Sequence, residues 1–450
     1  MNIAVIGAGA TGLTAALELI REGHTLTLFE AHLLPGGMAR TCLVGEEPLE
    51  IFYHHIFTSD SAVPELAREL GLEERLRWMP PKNALYAGGK LHSFTSPLDL
   101  LRFSELSLPD RIRMGLFVLR TQRRSSWKDL EHLTAREWVL KETGPRIFAT
   151  CWEPLLQSKF GSCANEVSAT WLWNKVKLRS SSRGKGQKQE LLGYLEGSFG
   201  ALYTRALEEL RRQGGLAFLD TEIAEIRPRG KGVLLTTARG HSTLFDKVLY
   251  TGSPRQLAAL CPDLAEEERK RYRSITSMAN LCLMLEMETP LSDYYWISIA
   301  DKGLPFVAAI EHTNLIPRER YGCNILYLSR YLSQEHPLFK APDEEVQERF
   351  LQGVAQIFPS WNPKMLRNSR LFRCTDTQPV VNRDYPNRIP PHQTSVSGLY
   401  LACMDQIFPE DRGQNYAIAM GRRALQILGL PEKSPEKERS VAPERGTGSR

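Results

Sequence analysis

The sequence predicts an α/β protein: a parallel-sheet nucleotide-binding domain built from separated stretches of chain, with a mixed α+β domain inserted between them. Three observations predict it. The chain opens on a strand, a glycine-rich turn and a helix. Strand-like runs of the same character return over residues 216–250 and 398–402. The intervening blocks carry helical and mixed patterns and no second strand followed by such a glycine turn.

The opening unit has a physical task at each position. Ile3-Ala4-Val5-Ile6 is a short apolar run, as a buried parallel strand requires. It enters Gly7-Ala8-Gly9-Ala10-Thr11-Gly12. Gly7 permits the tight turn, Gly9 lets backbone approach a pyrophosphate, and Gly12 lets the next helix lie close to the strand. The N–H groups across this turn, Ala8, Ala10 and Thr11 among them, meet phosphate at the positive end of the helix dipole. A helix pattern over Leu13–Arg21 stops at Gly23, and Thr25–Phe29 reads as a second strand. Glu30 closes that strand, followed by Ala31, about 20 residues beyond the glycines, where a carboxylate accepts both ribose hydroxyls. Glutamate there disfavours a 2′-phosphate and so NADP. This is a Rossmann-like dinucleotide site in full context, not an isolated glycine motif.

A second glycine pair follows, Pro35-Gly36-Gly37-Met38-Ala39-Arg40, which a simple NAD domain does not need. It resembles the Gly-Gly-x-x-Arg motif of the FAD-dependent amine oxidase superfamily, which includes protoporphyrinogen oxidase and phytoene desaturase. The resemblance implies FAD as cofactor. Gly36, Gly37, Met38 and Ala39 would then pass near its flavin end and Arg40 near its phosphates.

The resemblance also implies a discontinuous FAD-binding domain, assigned to residues 1–80, 196–264 and 396–430. Its middle segment shows short strands over Leu216–Leu219, Thr221–Ile226, Val233–Thr237 and Lys247–Tyr250. There the backbone at Ile223 would pair with adenine, and the turn at Thr251 and Gly252 would pass near the cofactor. Its last segment runs from the strand at Gly398–Ala402 through a polar loop to a helix over Tyr416–Leu428, with Ala417, Ala419 and Gly421 small enough for close packing. Asp405 matches the family's acid near the ribityl chain, and the stretch Gly413, Asn415 and Tyr416 brings a helix N-terminus to the flavin N1–C2=O region.

The substrate-binding domain is assigned to 81–195 and 265–395. The first block reads as mainly helical, over Pro97–Phe103, Pro109–Arg123, Thr134–Lys141 and Pro145–Lys159. The second mixes strands over Ala279–Glu288, Phe306–Ile310 and Ile325–Leu328 with a helix over Asp343–Phe358. Trp152, Phe160, Trp171 and Trp173 suit a core more than a substrate channel. Arg111, Arg113, Arg120, Arg123 and Arg124 flank an apolar run from Ile112 to Leu119, an amphipathic cationic pattern. Lys175–Lys188 reads as a mobile basic loop, and residues 431–450 as a charged, disordered tail.

Glu50–Phe57 follows the second glycine motif and carries His54 and His55. Adjacent histidines point in different directions, which argues against a metal pair. One of them is expected beside the isoalloxazine as hydrogen-bond donor or proton acceptor. Together with Trp152–Leu156, Lys159-Phe160-Gly161 and Tyr416, this stretch resembles bacterial protoporphyrinogen-oxidase-like flavoproteins. His55 and Lys159 are the candidate catalytic residues, Lys159 to orient a substrate acid or a water above flavin N5.

The expected function is an FAD-dependent oxidoreductase taking hydride from a small organic substrate, open to lipophilic ones, with oxygen, a quinone or another acceptor as electron sink. The rival readings are a flavin-dependent isomerase resembling UDP-galactopyranose mutase and a non-catalytic flavin-binding partner protein. The eight cysteines form no Cys-x-x-Cys pair and no zinc spacing, so no metal is expected. The net charge of +5 is too small to argue for nucleic acid. With no signal-like start and no long apolar run, the expected location is cytoplasmic, with peripheral membrane contact open.

Overall fold

The structure is a computed structural model that describes residues 1–181 and 190–432. The distal part of the expected basic loop, 182–189, and most of the charged tail, 433–450, lie outside the described residues.

Five parallel strands form the sheet that carries the first motif, in the order Leu216–Phe218, Thr25–Phe29, Asn2–Ile6, Lys247–Tyr250 and Leu399–Leu401. Its strands come from three distant parts of the chain. Ile3, Ala4 and Val5 have no exposed surface, as expected of a central strand covered on both faces. The helix begins at Ala10, earlier than its apolar periodicity suggests, because Gly9 already sits extended at its N-cap. A three-stranded meander (Ile223–Arg229, Gly232–Thr237, Ser242–Phe245) packs Ile226, Val233 and Phe245 against Val248 and Leu399 of this sheet.

The second large sheet has seven strands, in the order Leu366–Pro379, Ser277–Met287, Asn324–Leu332, Ala308–Glu311, Trp296–Ile299, Asn83–Ala87 and Lys90–Ser93. Alternation within Ser277–Met287 assigns its faces. Leu281, Leu283 and Leu285 meet the helix Asp343–Ile357 through Val346, Phe350 and Val354. Cys282 and Met284 face the core shared with the nucleotide-binding sheet. The hairpin at 83–93 falls in the block expected to be mainly helical. Its signal was the pair Gly88-Gly89, whose φ values of +58° and +71° suit the tight turn a two-residue hairpin needs.

The helical block packs Phe117, Trp138, Trp152, Phe160 and Trp171 into one core. The helix expected over Pro145–Lys159 is broken by a π turn at Phe148–Trp152. Pro154, just inside the following helix, supplies no N–H for the regular ladder. Lys175 lies in a helix, Ala169–Ser181, and not in a loop. Buried Trp171, Leu172 and Val176 hold that helix on the core despite its basic residues. Among the described residues no helix is long and apolar enough to cross a membrane.

The C-terminal helix runs over Gln414–Arg422 and resumes over Ala424–Ile427. Of its three small residues, Gly421 makes the close approach, whereas Ala419 is exposed. A Cβ at Gly421 would lie 2.6 Å from the Thr11 carbonyl oxygen and 3.0 Å from the Ala15 nitrogen, both on the first helix. Gly421→Leu should therefore lower stability by about 1–3 kcal/mol. Circular dichroism during thermal unfolding should show a lower melting temperature than in the unsubstituted protein.

Candidate functional site

The first glycine loop is shaped by contacts only glycine tolerates. Gly7 has φ +107°, and a Cβ on Gly12 would stand 1.9 Å from the Gly7 carbonyl oxygen. Thr251 closes the loop from behind. Its N–H and hydroxyl both donate to the Ile6 carbonyl, at 3.0 and 2.8 Å. The second glycine loop rests on the first: the Gly36 N–H donates to the Ala8 carbonyl at 2.8 Å, and a Cβ on Gly37 would come within 3.1 Å of Gly9 Cα. The N–H groups of Ala10, Thr11 and Gly12 begin the helix and have no intrahelical acceptor. Met38 and Ala39 occupy the short turn Gly37–Ala39, and Arg40 folds back to donate to the Gly37 carbonyl at 3.2 Å.

Glu30 is 7% exposed and accepts from the Ala8 N–H at 2.7 Å and the His32 N–H at 3.0 Å. Two N–H donors fix its carboxylate and leave lone pairs for ribose hydroxyls. Ala31 beside it is exposed. The Glu30 carbonyl accepts the Thr221 N–H at 2.8 Å, which seats the segment leading to Ile223 at this end of the site. Ile223 is itself buried, so only its backbone is offered. Gly252 passes against the Tyr250 ring, where a Cβ would meet its oxygen at 2.5 Å.

The stretch Cys403–Tyr416, expected at the flavin end, leads into the helix whose Gly421 packs on the first helix. Asp405 is 3% exposed, with its carboxylate 3.5 Å from Cys403 Sγ, and burial pushes its pKa up to about 6. Asn415 is spent on structure: its Oδ1 accepts the Ala62 N–H at 2.7 Å at the start of the helix Ala62–Glu69. Gly413 is the extended N-cap of the helix Gln414–Arg422, and Tyr416 is half-buried on it. Gln414, which the sequence did not single out, has Oε1 on the Tyr203 hydroxyl at 2.6 Å and a buried Nε2 without a partner among the described residues.

Both histidines lie deep in the structure yet keep part of their surface accessible. His54 Nδ1 is 2.7 Å from the Phe52 carbonyl, which only accepts, so Nδ1 carries the proton and Nε2 is the free acceptor. His55 Nδ1 is 3.1 Å from the Tyr295 hydroxyl, with its ring edge-on to Phe57 and Trp296. Burial lowers the pKa of His54 to about 4 and of His55 to about 3. Both are neutral at ordinary pH. They suit hydrogen bonding rather than proton uptake.

Lys159 is not an isolated amine. It ion-pairs with Asp411 at 3.2 Å, and Lys175 ion-pairs with the same carboxylate oxygen. Asp411 also accepts from Trp171 Nε1 and Gln378 Nε2, each at 3.1 Å. Burial would raise its pKa, but Lys159, Lys175 and Arg412 outweigh that and hold it well below the usual carboxylate range. Arg412 donates to the Tyr331 hydroxyl at 3.0 Å, and its positive charge is felt at His54. Burial, outweighing the pull of Asp411, lowers the Lys175 pKa to about 8. Asp411, Arg412 and Lys175 were the residues sequence reasoning passed over. The available signal was an Asp-Arg pair in the C-terminal polar loop and two lysines, Lys159 and Lys175, each within a few residues of aromatic side chains.

Paired glycine loops that a Cβ would fill, a helix start with free N–H groups and a fixed carboxylate at the end of the second strand fit the pyrophosphate and ribose of FAD. The unpartnered Gln414 amide marks the other end of the same site. Fold and site together define a flavin-dependent oxidoreductase. Residues 10–407 match the model of the flavin containing amine oxidoreductase family, and the chain belongs to that family. It is similar to a coproporphyrinogen III oxidase of Mycobacterium tuberculosis, 22% identical over 380 residues, which span 79% of this chain and 82% of that one. Its fold matches that of a reduced UDP-galactopyranose mutase, with TM-score 0.75 and 18% identity over 96% of each chain. A putrescine oxidase variant matches with TM-score 0.73 and 16% identity, over 95% of this chain and 98% of that one. The chain is thus an FAD-dependent enzyme acting on a small molecule and passing electrons to an acceptor.

Two predictions follow from this geometry. Glu30→Ala should weaken FAD binding by roughly 10- to 150-fold, the worth of about 1.5–3 kcal/mol for a hydrogen bond to a charged group. The flavin-to-protein absorbance ratio after gel filtration measures it, and full occupancy would remove Glu30 from the ribose site. His55 binds a proton less readily folded than unfolded, with its pKa lowered from 6.5 to about 3. Its contribution to stability is complete above pH 6.5 and is lost, at up to about 1.4 kcal/mol per pH unit, as pH falls toward 3. His55→Gln, which lacks that titration, should show a smaller loss of melting temperature between pH 7 and 4.

Proposed function

We propose that this protein oxidises a C–H bond, beside nitrogen or within a conjugable framework, of an apolar small molecule held between the helical block and the seven-stranded sheet. The observation that carries this reading is that Tyr53, His54, His55, Trp296 and Tyr331 all keep part of their surface accessible, adjoin one another, and reach the flavin-side loop through the Arg412–Tyr331 hydrogen bond. The hollow assigned to the substrate is the space they would border. Bound FAD would supply the two-electron step, accepting hydride at N5 and returning electrons to oxygen, a quinone or another acceptor. The chain's own residues would position the substrate and exclude water. Tyr53 and Trp296 meet edge to face at 5.1 Å and give an apolar wall, while neutral His54 offers Nε2 as an acceptor. No described histidine in this hollow is poised to take a proton at neutral pH, so the second proton would leave through water or the substrate's own nitrogen.

The likeness to a UDP-galactopyranose mutase in fold, and the basic residues at this hollow, favour one second reading: isomerisation of a sugar nucleotide without net oxidation. Anaerobic mixing with a panel of amines, porphyrinogens and polyenes separates the two. Loss of flavin absorbance near 450 nm, the usual band of oxidised flavin, supports oxidation. Failure of every member to bleach it, together with turnover of a sugar nucleotide by the pre-reduced enzyme, would select isomerisation.

A lipophilic substrate is supported by the surface of the helical block. The adjacent helices Pro97–Arg102 and Leu108–Arg123 expose Leu98 (60%), Leu101 (47%), Leu108 (58%), Ile112 (51%), Leu116 (47%) and Leu119 (48%). Met114 and Phe117 on the other side of the second helix are buried, so this face is not needed for the core. Arg113, Arg120 and Arg123 are exposed beside it. Apolar side chains bordered by arginines suit an anionic bilayer surface. Co-sedimentation should be strong with phosphatidylcholine vesicles containing phosphatidylglycerol and weak with phosphatidylcholine alone. It should fall at least tenfold for Ile112→Ser combined with Leu116→Ser. Vesicle-independent self-association lost in the same variant would instead give the face to a second copy.

A further inference from the structure

We infer that the three cations around Asp411 form a subsite for an anionic oxygen group of the substrate, a carboxylate or a phosphate. The inference rests on the reading that the adjoining hollow takes the substrate. Lys159 comes from the helix Glu153–Phe160, Lys175 from the helix Ala169–Ser181 and Arg412 from the flavin-side loop, so three separate elements converge their charge on one place. Asp411 is the only carboxylate ion-paired with either lysine among the described residues.

One negative charge therefore faces three positive ones. Burying an excess of like charge is strongly unfavourable unless a counter-charge joins it. The carboxylate is also the closed side of the cluster. Its side chain is 5% exposed, whereas Lys159 keeps 16% and Lys175 30%. Both oxygens of Asp411 are already engaged, by Trp171, Gln378 and the lysines. The cations still have donors to give. Each ammonium has three N–H bonds, and Arg412 Nε is buried without a partner among the described residues.

The surroundings orient an anion rather than merely attract one. Lys159 lies over the Trp171 ring at 5.1 Å and Lys175 over the same ring at 5.8 Å, so both are braced. Arg412 lies over the Tyr331 ring at 6.0 Å and donates to its hydroxyl. The Arg412–Tyr331 hydrogen bond, and the contact of Tyr331 with Tyr53, place the cluster beside the segment that carries His54 and His55. Burial and the neighbouring cations keep the Lys175 pKa near 8, a state an incoming anion would reverse.

The test uses the FAD-loaded protein and follows the flavin visible spectrum while titrating phenylacetate, phenyl phosphate and the neutral phenylacetamide. At least one anion should bind tenfold or more tightly than the amide. Phosphate above carboxylate identifies a phosphorylated substrate, and the reverse order a carboxylic acid. Lys175→Met and Arg412→Met should each weaken the preferred anion at least tenfold without changing amide binding, while Lys175→Arg retains the preference. Equal binding of anion and amide, or no spectral response to any of them, overturns the inference. So does a preference that survives both methionine variants. If the cations serve the cofactor instead, Lys175→Met shifts the flavin midpoint potential and leaves the anion-to-amide ratio unchanged, which also overturns it. Anion binding without bleaching by any substrate would leave the subsite standing while the hydride-transfer reading falls.

Discussion

Everything that places the cofactor depends on how closely four pieces of backbone approach one another at the first glycine loop. Gly12 touches the Gly7 carbonyl, Gly37 lies on Gly9, Thr251 backs the turn, and Gly421 brings the C-terminal helix against Thr11. A side chain at any of these glycines would push one piece away. The pieces come from three distant parts of the chain, so the contact also ties the connectivity: the N-terminal loops, the turn at Thr251 and the C-terminal helix meet at one place. The ion pairs of Arg422 with Glu18 and Glu69 lock that helix from outside. They are partly exposed and contribute modestly beside the buried contact.

The nucleotide end of this arrangement was legible in the sequence because its requirements are local. Glycines at 7, 9 and 12, an acid at the end of the next strand and a second glycine pair all act within one continuous stretch. The parallel sheet and the identity of the cofactor followed. What the sequence hid was set by tertiary contacts. Lys175 has the composition of a loop neighbour but lies on a helix, because Trp171, Leu172 and Val176 bury one side of it. Asn415 reads as a flavin-side residue, and nothing near it in sequence announces that its Oδ1 also accepts the Ala62 N–H at the start of the helix Ala62–Glu69. Gln378 reaches Asp411 from the far end of a fourteen-residue strand, and nothing near it in sequence points there.

The second sheet shows how a substrate side is built onto such a core without a motif of its own. One face of Ser277–Met287 is committed to a covering helix, and the other to the core shared with the nucleotide-binding sheet. The sheet is thus anchored on the nucleotide-binding side, while one strand, through Ser329 and Tyr331, meets Tyr53 and Arg412. Tyr53 donates to Ser329 Oγ at 3.3 Å and ties the segment carrying the histidines to the end of that strand. The position of His54 and His55 is therefore tied to the sheet as well as to the short strands Glu47–Glu50 and Ile56–Phe57 that flank them.

Charge in the hollow is arranged asymmetrically, and this asymmetry constrains the chemistry more than any single residue does. The histidines are held neutral by burial, so they add hydrogen-bonding capacity without charge. The lysines and Arg412 remain cationic because Asp411 is buried among them, even though burial opposes their charge. One wall is thus apolar and neutral and the adjoining wall positive. A molecule with an apolar body and an anionic end would find complementary surfaces for both. Because the fold of this family does not by itself set the ligand, the charge that Lys159, Lys175 and Arg412 bring together is where a preference for an anionic group would originate.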